Sequence, residues 1–441
     1  MKTSQPTSAS APPTAVRWRI LLILVLASFI SYVLRTNLSF AAPAMMDDLG
    51  LDEIQWGWVL AAFTAGYAIF QVPGGVLGDR FGPRRVITSI AILWGVLTLM
   101  TSLVPEGASA SPLLVIGSLM LVRFLVGATH APSFPAQNAS VVRWFPGGGW
   151  GMPAGLSSTG RSRGAAAAAI VVPLFITQLG WRTAFVLLAP LGLLVGLLWW
   201  WYSRDNPAGH PAINTAELDL INAGRDRFEP PDSPGPGPES AQPDWLRVLK
   251  NRDVLMLMFS YSSMNFVFYI VFNWFFYYLV EVREFSTTDA GFVASAQWMA
   301  GAAGAALGGW LCDRMCRSLG LRWGCRWPVI IGMTASAVLL LLGATHPGPV
   351  VAVAAMVLLF FFNQLNEGPY WAASVAVGGR HAGAAGGVMN TGANFMGVLN
   401  ALMVPFMAQA LGWTWAIASG AFFALLGVVF MLLVRADKPV Q

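Results

Sequence analysis

The 441-residue chain has few charges, few cysteines and almost no acid within its apolar stretches. Asp, Glu, Lys and Arg make up 11% of it, against about 25% in an ordinary soluble domain. A charge-poor surface of this size does not stay in water as a monomeric globule. Three cysteines exclude a disulfide framework, and Cys312, Cys316 and Cys325 all fall in one short stretch. They read as plain buried or loop cysteines, and no metal ligation or cofactor is expected. Neither a nucleotide-binding loop nor a nucleophile paired with a base is present, so enzymatic activity has no support.

What is present is apolar length. Hydrophobic residues form 56% of the chain. They gather into twelve runs, from Arg19 to Ala44 at the start to Trp413 to Val434 at the end, and about 20 such residues span a bilayer. Membrane strands alternate in segments of about ten residues, and these runs do not alternate. The expected fold is all-α: a polytopic membrane protein of 12 transmembrane helices.

The net charge of +5 comes from basic residues whose placement argues against nucleic acid. Of the 26 Lys and Arg, 20 lie in the N-terminal flank, the even-numbered loops and the C-terminal tail, and only Arg182 and Arg283 lie in odd-numbered loops. The positive-inside rule then places both termini in the cytoplasm. The start, "MKTSQPTSASAPPTAVRWR", lacks a cleavable signal pattern and reads as a polar tail before a retained first helix.

A hydrophilic segment, 204–252, divides the chain. It contains "FEPPDSPGPGPESAQPDW", too rich in proline and charge to pack as a core, and "NTAELDLI", a short surface helix capped by Asn214 or Thr215. The expected organisation is a tail (1–18), a six-helix bundle (19–203), the cytoplasmic loop (204–252), a second six-helix bundle (253–434) and a tail (435–441). "PGGVLGDRFGPRR" closes the second span and "LGGWLCDRMCRSLG" the eighth. The repeat of Gly-Gly-x-x-x-Asp-Arg at matching places marks two pseudo-symmetric halves, the architecture of secondary transporters. Gly74, Gly75, Gly308 and Gly309 are placed to let helices approach closely. Gly75, Asp79, Arg80, Gly82, Arg84, Asp313 and Arg314 read as a gate between the halves, or more plainly as turns that fix topology.

Over nearly its whole length the chain resembles the major facilitator superfamily, and within it the anion:cation symporter family. That family includes transporters of hexuronates, aldonates, glucarate and phthalate, with animal sialin and the vesicular glutamate transporters. The Gly-Gly-x-x-x-Asp-Arg motif marks only the superfamily. "RFLVGATHAPSFPAQNASVVRWFP", "MNFVFYIVFNWFFYYLVEVREF" and "EGPYWAASVAVGGRHAGAAGGVMNTGANFMGVLNA" are together more specific. The resemblance implies transport of a small-molecule anion by a monomer in the inner, cytoplasmic membrane. It also implies cavity arginines at Arg35 and Arg123, a substrate-contacting residue at Arg161, and cavity tyrosines at Tyr32 and Tyr67.

Charge within the runs supports an anion independently. Arg35, Arg123, Arg161 and Arg163 lie inside spans, and of 21 Asp and Glu only Glu367 does. Each such cation costs at least ~2.5 kcal/mol at mid-membrane and marks a cavity or a partner. A visiting carboxylate fits the planar guanidinium fork. Arg161 and Arg163, two residues apart, cannot both face one cavity, and Arg161 is the better candidate. Polar rows complete an expected lining suited to hydroxyl-rich acids: Tyr67 and Gln71; Asn265, Tyr269 and Asn273; Asn390 and Asn394. Tyr370 and Trp371 join Asn363, Asn366 and Glu367 in one helical stripe. Hydrogen bonding between helices is the rival reading for any single Asn.

Coupling departs from the family pattern. Relatives often carry Asp before the first-span arginine, where Leu34 stands, and Glu where His130 stands. The remaining candidates for carrying a proton are His130 and Glu367, with His130 equally readable as a neutral hydrogen-bond donor. Exchange or facilitated diffusion stays open, as does export, or a ligand sensor that keeps the transporter fold.

Overall fold

A computed structural model describes residues 12–105, 111–146, 150–222 and 245–437. The proline-rich part of the dividing segment, 223–244, lies outside the described residues. Among those described, every regular element is helical.

The first half runs α1 (Val16–Leu49), α2 (Glu53–Phe81), α3 (Pro83–Ser102), α4 (Pro112–His130), α5 (Ser133–Trp144), α6 (Gly151–Leu179) and α7 (Trp181–Tyr202). α8 (Thr215–Asn222) and α9 (Trp245–Lys250) follow, and the second half starts with α10 (Arg252–Tyr269). α10 continues through two π-helical turns, Ile270–Trp274 and Tyr278–Val282, around the short α11 (Phe275–Tyr277). Then come α12 (Thr287–Thr345), α13 (Pro349–Leu365), α14 (Glu367–Gly378), α15 (Ala382–Leu411) and α16 (Trp413–Leu433). Eleven of the resulting segments are long and apolar enough to cross a membrane, and the 59-residue α12 is two crossings joined at Gly320, whose φ of 78° reverses the chain. The count is therefore the twelve expected.

Boundaries follow local chemistry. The Asp52 side chain accepts from the Gln55 amide while the Gln55 side chain accepts from the Asp52 amide, a capping box that starts α2. Pro83 and Pro112 occupy first turns, where no amide hydrogen is needed. The fourth span of each half is broken at mid-depth, at Ala131–Pro132 between α4 and α5 and at Asn366 between α13 and α14. The breaks carry His130 and Glu367, so the two titratable candidates occupy corresponding positions of the repeat.

Glycines set the closest helix crossings. A Cβ on Gly66 would lie 2.1 Å from the Phe124 carbonyl oxygen, and one on Gly127 1.9 Å from that of Phe63, so α2 and α4 touch backbone to backbone. The second half repeats this between α12 and α13, with Gly304 against Phe361 O at 2.0 Å and Gly308 against Leu365 O at 1.9 Å. Of the four motif glycines, Gly74 abuts Pro132 and Gly308 abuts Leu365, whereas Gly75 and Gly309 meet nothing within 4 Å.

The halves meet through α2 on α15 and α6 on α12. At the end remote from the termini these pairs are tight: a Cβ on Gly57 would lie 2.5 Å from Ala401 O, and one on Gly291 2.4 Å from Ala169 O. There the Tyr277 hydroxyl donates to Glu53 at 3.2 Å and Phe40 packs edge-on against Phe276 at 5.4 Å. At the end bearing the termini, Gly75 of α2, Gly155 of α6 and Gly383 of α15 meet nothing within 4 Å. Among the described residues the halves thus touch backbone to backbone at the remote end, and these glycines are free of close contact at the terminal end.

α8 is capped by Asn214, whose Oδ1 accepts from the Glu217 amide at 2.9 Å. Glu217, fully buried, in turn caps α1: its carboxylate accepts from Thr14 Oγ1 at 2.5 Å and from the Val16 and Arg17 amides at 3.1 Å each. α1 thus begins at Val16, three residues before the expected Arg19, because the dividing segment supplies its cap. Glu217→Ala is expected to weaken this contact by about 1 to 2 kcal/mol. Faster hydrogen exchange at the Val16 and Arg17 amides would register it, and unchanged exchange would refute it.

Candidate functional site

Arg35 lies halfway through the membrane on α1, half-buried at the cleft. No Asp or Glu lies within 4 Å of it among the described residues. Aromatic faces surround it instead: the guanidinium carbon is 5.3 Å from the Tyr32 ring, 5.1 Å from Phe63, 5.0 Å from Tyr67 and 5.3 Å from Phe272. Each desolvated cation–π contact is worth ~2 kcal/mol, so four offset much of the burial penalty without neutralising the charge. Nε is buried with no hydrogen-bond partner.

Arg123 sits behind Phe63, with its guanidinium 5.2 Å from the other side of the same cage. It is 3% exposed, its Nε has no partner, and its Nη2 reaches Arg35 O only at 3.5 Å. The Gly66 and Gly127 crossing makes this possible, since it brings α4 close enough to α2 for one ring to serve both cations. Two like charges share a ring with no carboxylate between them.

His130 is fully enclosed. Its ring stacks on Trp94 at 4.7 Å, Nδ1 faces Val126 O at 2.8 Å, and Nε2 faces Ser31 O at 3.1 Å. Each nitrogen faces a carbonyl oxygen, and a neutral imidazole, with one N–H, donates to only one of the two. The Ser31 contact ties α4 to α1 one turn before Arg35.

Across the cleft, Glu367 opens α14 and is half-buried. The Tyr261 hydroxyl donates to its carboxylate at 3.1 Å and the Trp371 indole at 2.9 Å. Arg161 is held by Ser158 Oγ at 2.6 Å and by the Phe134 face at 5.0 Å, whereas Arg163 is exposed. The two arginines, two residues apart, thus differ in burial.

A polar chain links the halves: Tyr269 OH donates to Asn394 Oδ1 at 3.4 Å, and Asn394 Nδ2 donates to Gln71 Oε1 at 2.9 Å and to Asn390 O at 3.0 Å. Asn265 is half-buried beside it, its amide turned back to Tyr261 O at 2.9 Å. An aromatic wall of Trp298, Phe268 and Phe360 backs the cage, with Trp298 6.1 Å from Tyr32.

Some candidates are not brought here. Tyr370 is fully buried, its hydroxyl 2.7 Å from Ser260 Oγ, which itself donates to Gly427 O. It locks α14 to α10 and α16 and has no free face for a ligand. Asn273 falls in the π-helical stretch, where the four-residue row loses register, and is buried with Nδ2 unpartnered. Asn363 donates to Met264 O on α10, a bond between helices, whereas Asn366 turns back to Phe362 O and Asn363 O of its own span and holds the break.

The motif residues do not span the halves in this conformation. Arg84 lies over the Trp200 ring at 4.2 Å and donates to Trp200 O, while its amide and Arg143 both meet Asp205. Gly82, at φ 80°, sits against the same carboxylate. These contacts brace α3 to α7 within one half. Arg80 and Arg314 rest on the neighbouring Phe81 and Trp310, and Asp313 is exposed; the Asp79 side chain lies outside the described residues.

Tyr261, Phe63 and Phe272 were not expected at the site. Tyr261 stands one step ahead of Asn265 in the same four-residue row and was detectable there. Phe63 and Phe272 carry no polar signal that separates them from lipid-facing phenylalanines.

Residues 24–321 match the Major Facilitator Superfamily. The chain is 30% identical to a probable galactarate/D-glucarate transporter of Bacillus subtilis (strain 168), covering 90% of this chain and 87% of that one. It is likewise 30% identical to a probable sulfoacetate transporter of Cupriavidus necator, over 90% and 88%. Among solved structures, a bacterial homologue of the human lysosomal transporter Spinster, in an inward-facing and occupied conformation, superposes with a TM-score of 0.76 at 17% identity, over 96% and 97%. The protein is a multi-pass membrane transporter and not an enzyme. By fold, family match and relatives together, it belongs to the major facilitator superfamily, in its family of organic-anion transporters.

Proposed function

We propose that this transporter carries a small hydroxylated carboxylate, a sugar acid, inward across the inner membrane by alternating access in symport with a proton. It acts as a monomer with both termini in the cytoplasm and with two six-helix bundles on either side of the dividing segment, the first starting at Val16 and the second at Arg252. The observation that carries the substrate class is the Arg35–Phe63–Arg123 stack, two buried cations with no carboxylate partner. A bound carboxylate supplies the missing charge at Arg35, and Arg123 adds field from behind. Gln71, Asn390, Asn394 and Tyr269 suit hydroxyls on the rest of the molecule. With the termini inside, the terminal end of the cleft opens to the cytoplasm, and the glycines of the two motifs are where that end closes.

The coupling proton is assigned to Glu367. It reaches the cleft, whereas His130 is 3% exposed and walled off behind the Trp94 ring. Tyr261 and Trp371 hold the charged carboxylate, and closing the cleft around substrate changes the field at it and so the proton's affinity. His130 is a positioning group that joins α4 to α1.

The test is reconstitution into vesicles with D-glucarate as the probe. An imposed proton gradient is expected to drive accumulation, with alkalinisation of the outer medium. Glu367→Gln should abolish gradient-driven accumulation by at least ~10-fold while leaving counterflow of preloaded substrate intact. Uptake indifferent to the gradient would end the symport reading, and loss of counterflow would move Glu367 from coupling to binding.

A further inference from the structure

The three cysteines, separated along the chain, converge in space. Cys312 and Cys316 stand four apart on one leg of α12, and Cys325 lies on the other leg beyond the reversal at Gly320. Cys312 Sγ is 3.9 Å from Cys316 Sγ, and Cys316 Sγ is 3.8 Å from Cys325 Sγ. All three sulfurs lie within 4.8 Å of one another, with Cys312 and Cys325 buried. The legs come together because Gly324 has no side chain, since a Cβ there would lie 2.4 Å from Cys316 Cα. None of the pairs is bonded.

Three sulfurs on one ion at a metal–sulfur distance of ~2.3 Å are separated by about 3.8 Å in a tetrahedral site and about 4.0 Å in a trigonal one. Two of the three observed spacings fall in this range, and the third pair lies within 4.8 Å. Arg314, Arg317, Arg322 and Arg326 belong to the same hairpin, and a soft cation bound between the sulfurs would itself supply the charge that holds them as thiolates. Arg326 donates to Val434 O through Nε at 3.0 Å and through Nη2, which fixes the hairpin to the end of α16.

We propose that Cys312, Cys316 and Cys325 form a three-thiolate site for a soft d10 cation, of the zinc(II) or copper(I) class, outside the transport cleft. Binding releases the thiol protons to solvent and involves no change of oxidation state. The sequence separation concealed the site, because a three-then-eight spacing brings the third cysteine alongside only when the intervening stretch is a tight helical hairpin. An ion there pins the hairpin immediately beside Asp313 and Arg314.

The probe is Cd2+, added to full-length reduced protein in detergent after chelator treatment. A sulfur-to-cadmium charge-transfer band is expected to saturate at one equivalent and to shield all three thiols from a thiol reagent. Competition with Zn2+ and with Cu+ identifies which ion binds more tightly. Cys312→Ser and Cys325→Ser should each weaken binding at least ~100-fold, with elution volume and melting temperature reporting whether the variants fold. The wild-type titration decides by itself. A missing band, a band that survives replacement of all three cysteines, or a thiol count of one in protein purified without reductant would overturn the site, the last by revealing a disulfide.

Discussion

Arg35→Met is expected to abolish transport and weaken binding of a sugar-acid probe by at least ~100-fold, while the substrate-free protein melts no lower than wild type. The two halves of this result have one cause. A carboxylate held by the guanidinium fork forms charge-assisted bonds worth ~3 kcal/mol in total, and about 1.4 kcal/mol is a factor of ten in affinity. Without substrate the same charge is a burden, since Nε has no partner and no acid lies within 4 Å among the described residues. Methionine refills the space between Tyr32, Phe63, Tyr67 and Phe272 with polarizable contacts and no charge to desolvate. Arg35→Lys should also fail as a transporter, because an ammonium cannot present two parallel donors. Thermal shift with and without D-glucarate separates the effects. A variant that keeps its ligand-induced shift would remove Arg35 from the binding site, and one that melts well below wild type would make the residue structural.

The charge imbalance was legible in the sequence because membrane-buried arginines are rare enough to be counted. How the protein tolerates them was not. The compensation comes from four rings on three helices, α1, α2 and the π-helical continuation of α10. Ring convergence depends on helix approach, which residue type does not encode. The twelve spans and the cap of α8 were readable because each rests on local signals: apolar length, a capping side chain, a glycine. Tyr370 failed for the converse reason. Helical spacing put it on a stripe with Glu367, but the Ser260 hydroxyl holds it in the packing of α14 on α10. The polar rows of α2 and α15 were visible as helix faces in the spacing, but their joining through Asn394 and Gln71 is a tertiary fact. His130 illustrates the limit most plainly. Its place on the Arg123 face is a matter of spacing, whereas its enclosure by Trp94 and two carbonyls needs coordinates.

Gly127→Ala is expected to destabilise the protein by at least ~3 kcal/mol and to eliminate transport, as large an effect as one methyl group can have here. The added Cβ would sit 1.9 Å from the Phe63 carbonyl oxygen, and both atoms belong to helix backbones that cannot rotate aside. Relief requires α2 and α4 to separate by more than ~1 Å, at the upper end of overpacking costs. That separation also draws Phe63 away from Arg123, so the shared ring is lost together with the close crossing. Gly308→Ala should lower stability similarly, since its Cβ would meet Leu365 O at the same 1.9 Å in the corresponding crossing of the second half. Gly75→Ala provides the contrast. Nothing lies within 4 Å of its Cβ position, so the melting temperature should match wild type. If the terminal end closes by bringing α2 and α15 together, this substitution slows transport without unfolding anything. Equal destabilisation by Gly75→Ala and Gly127→Ala would show that both glycines are already packed in the resting state, and the open cleft would have to be abandoned.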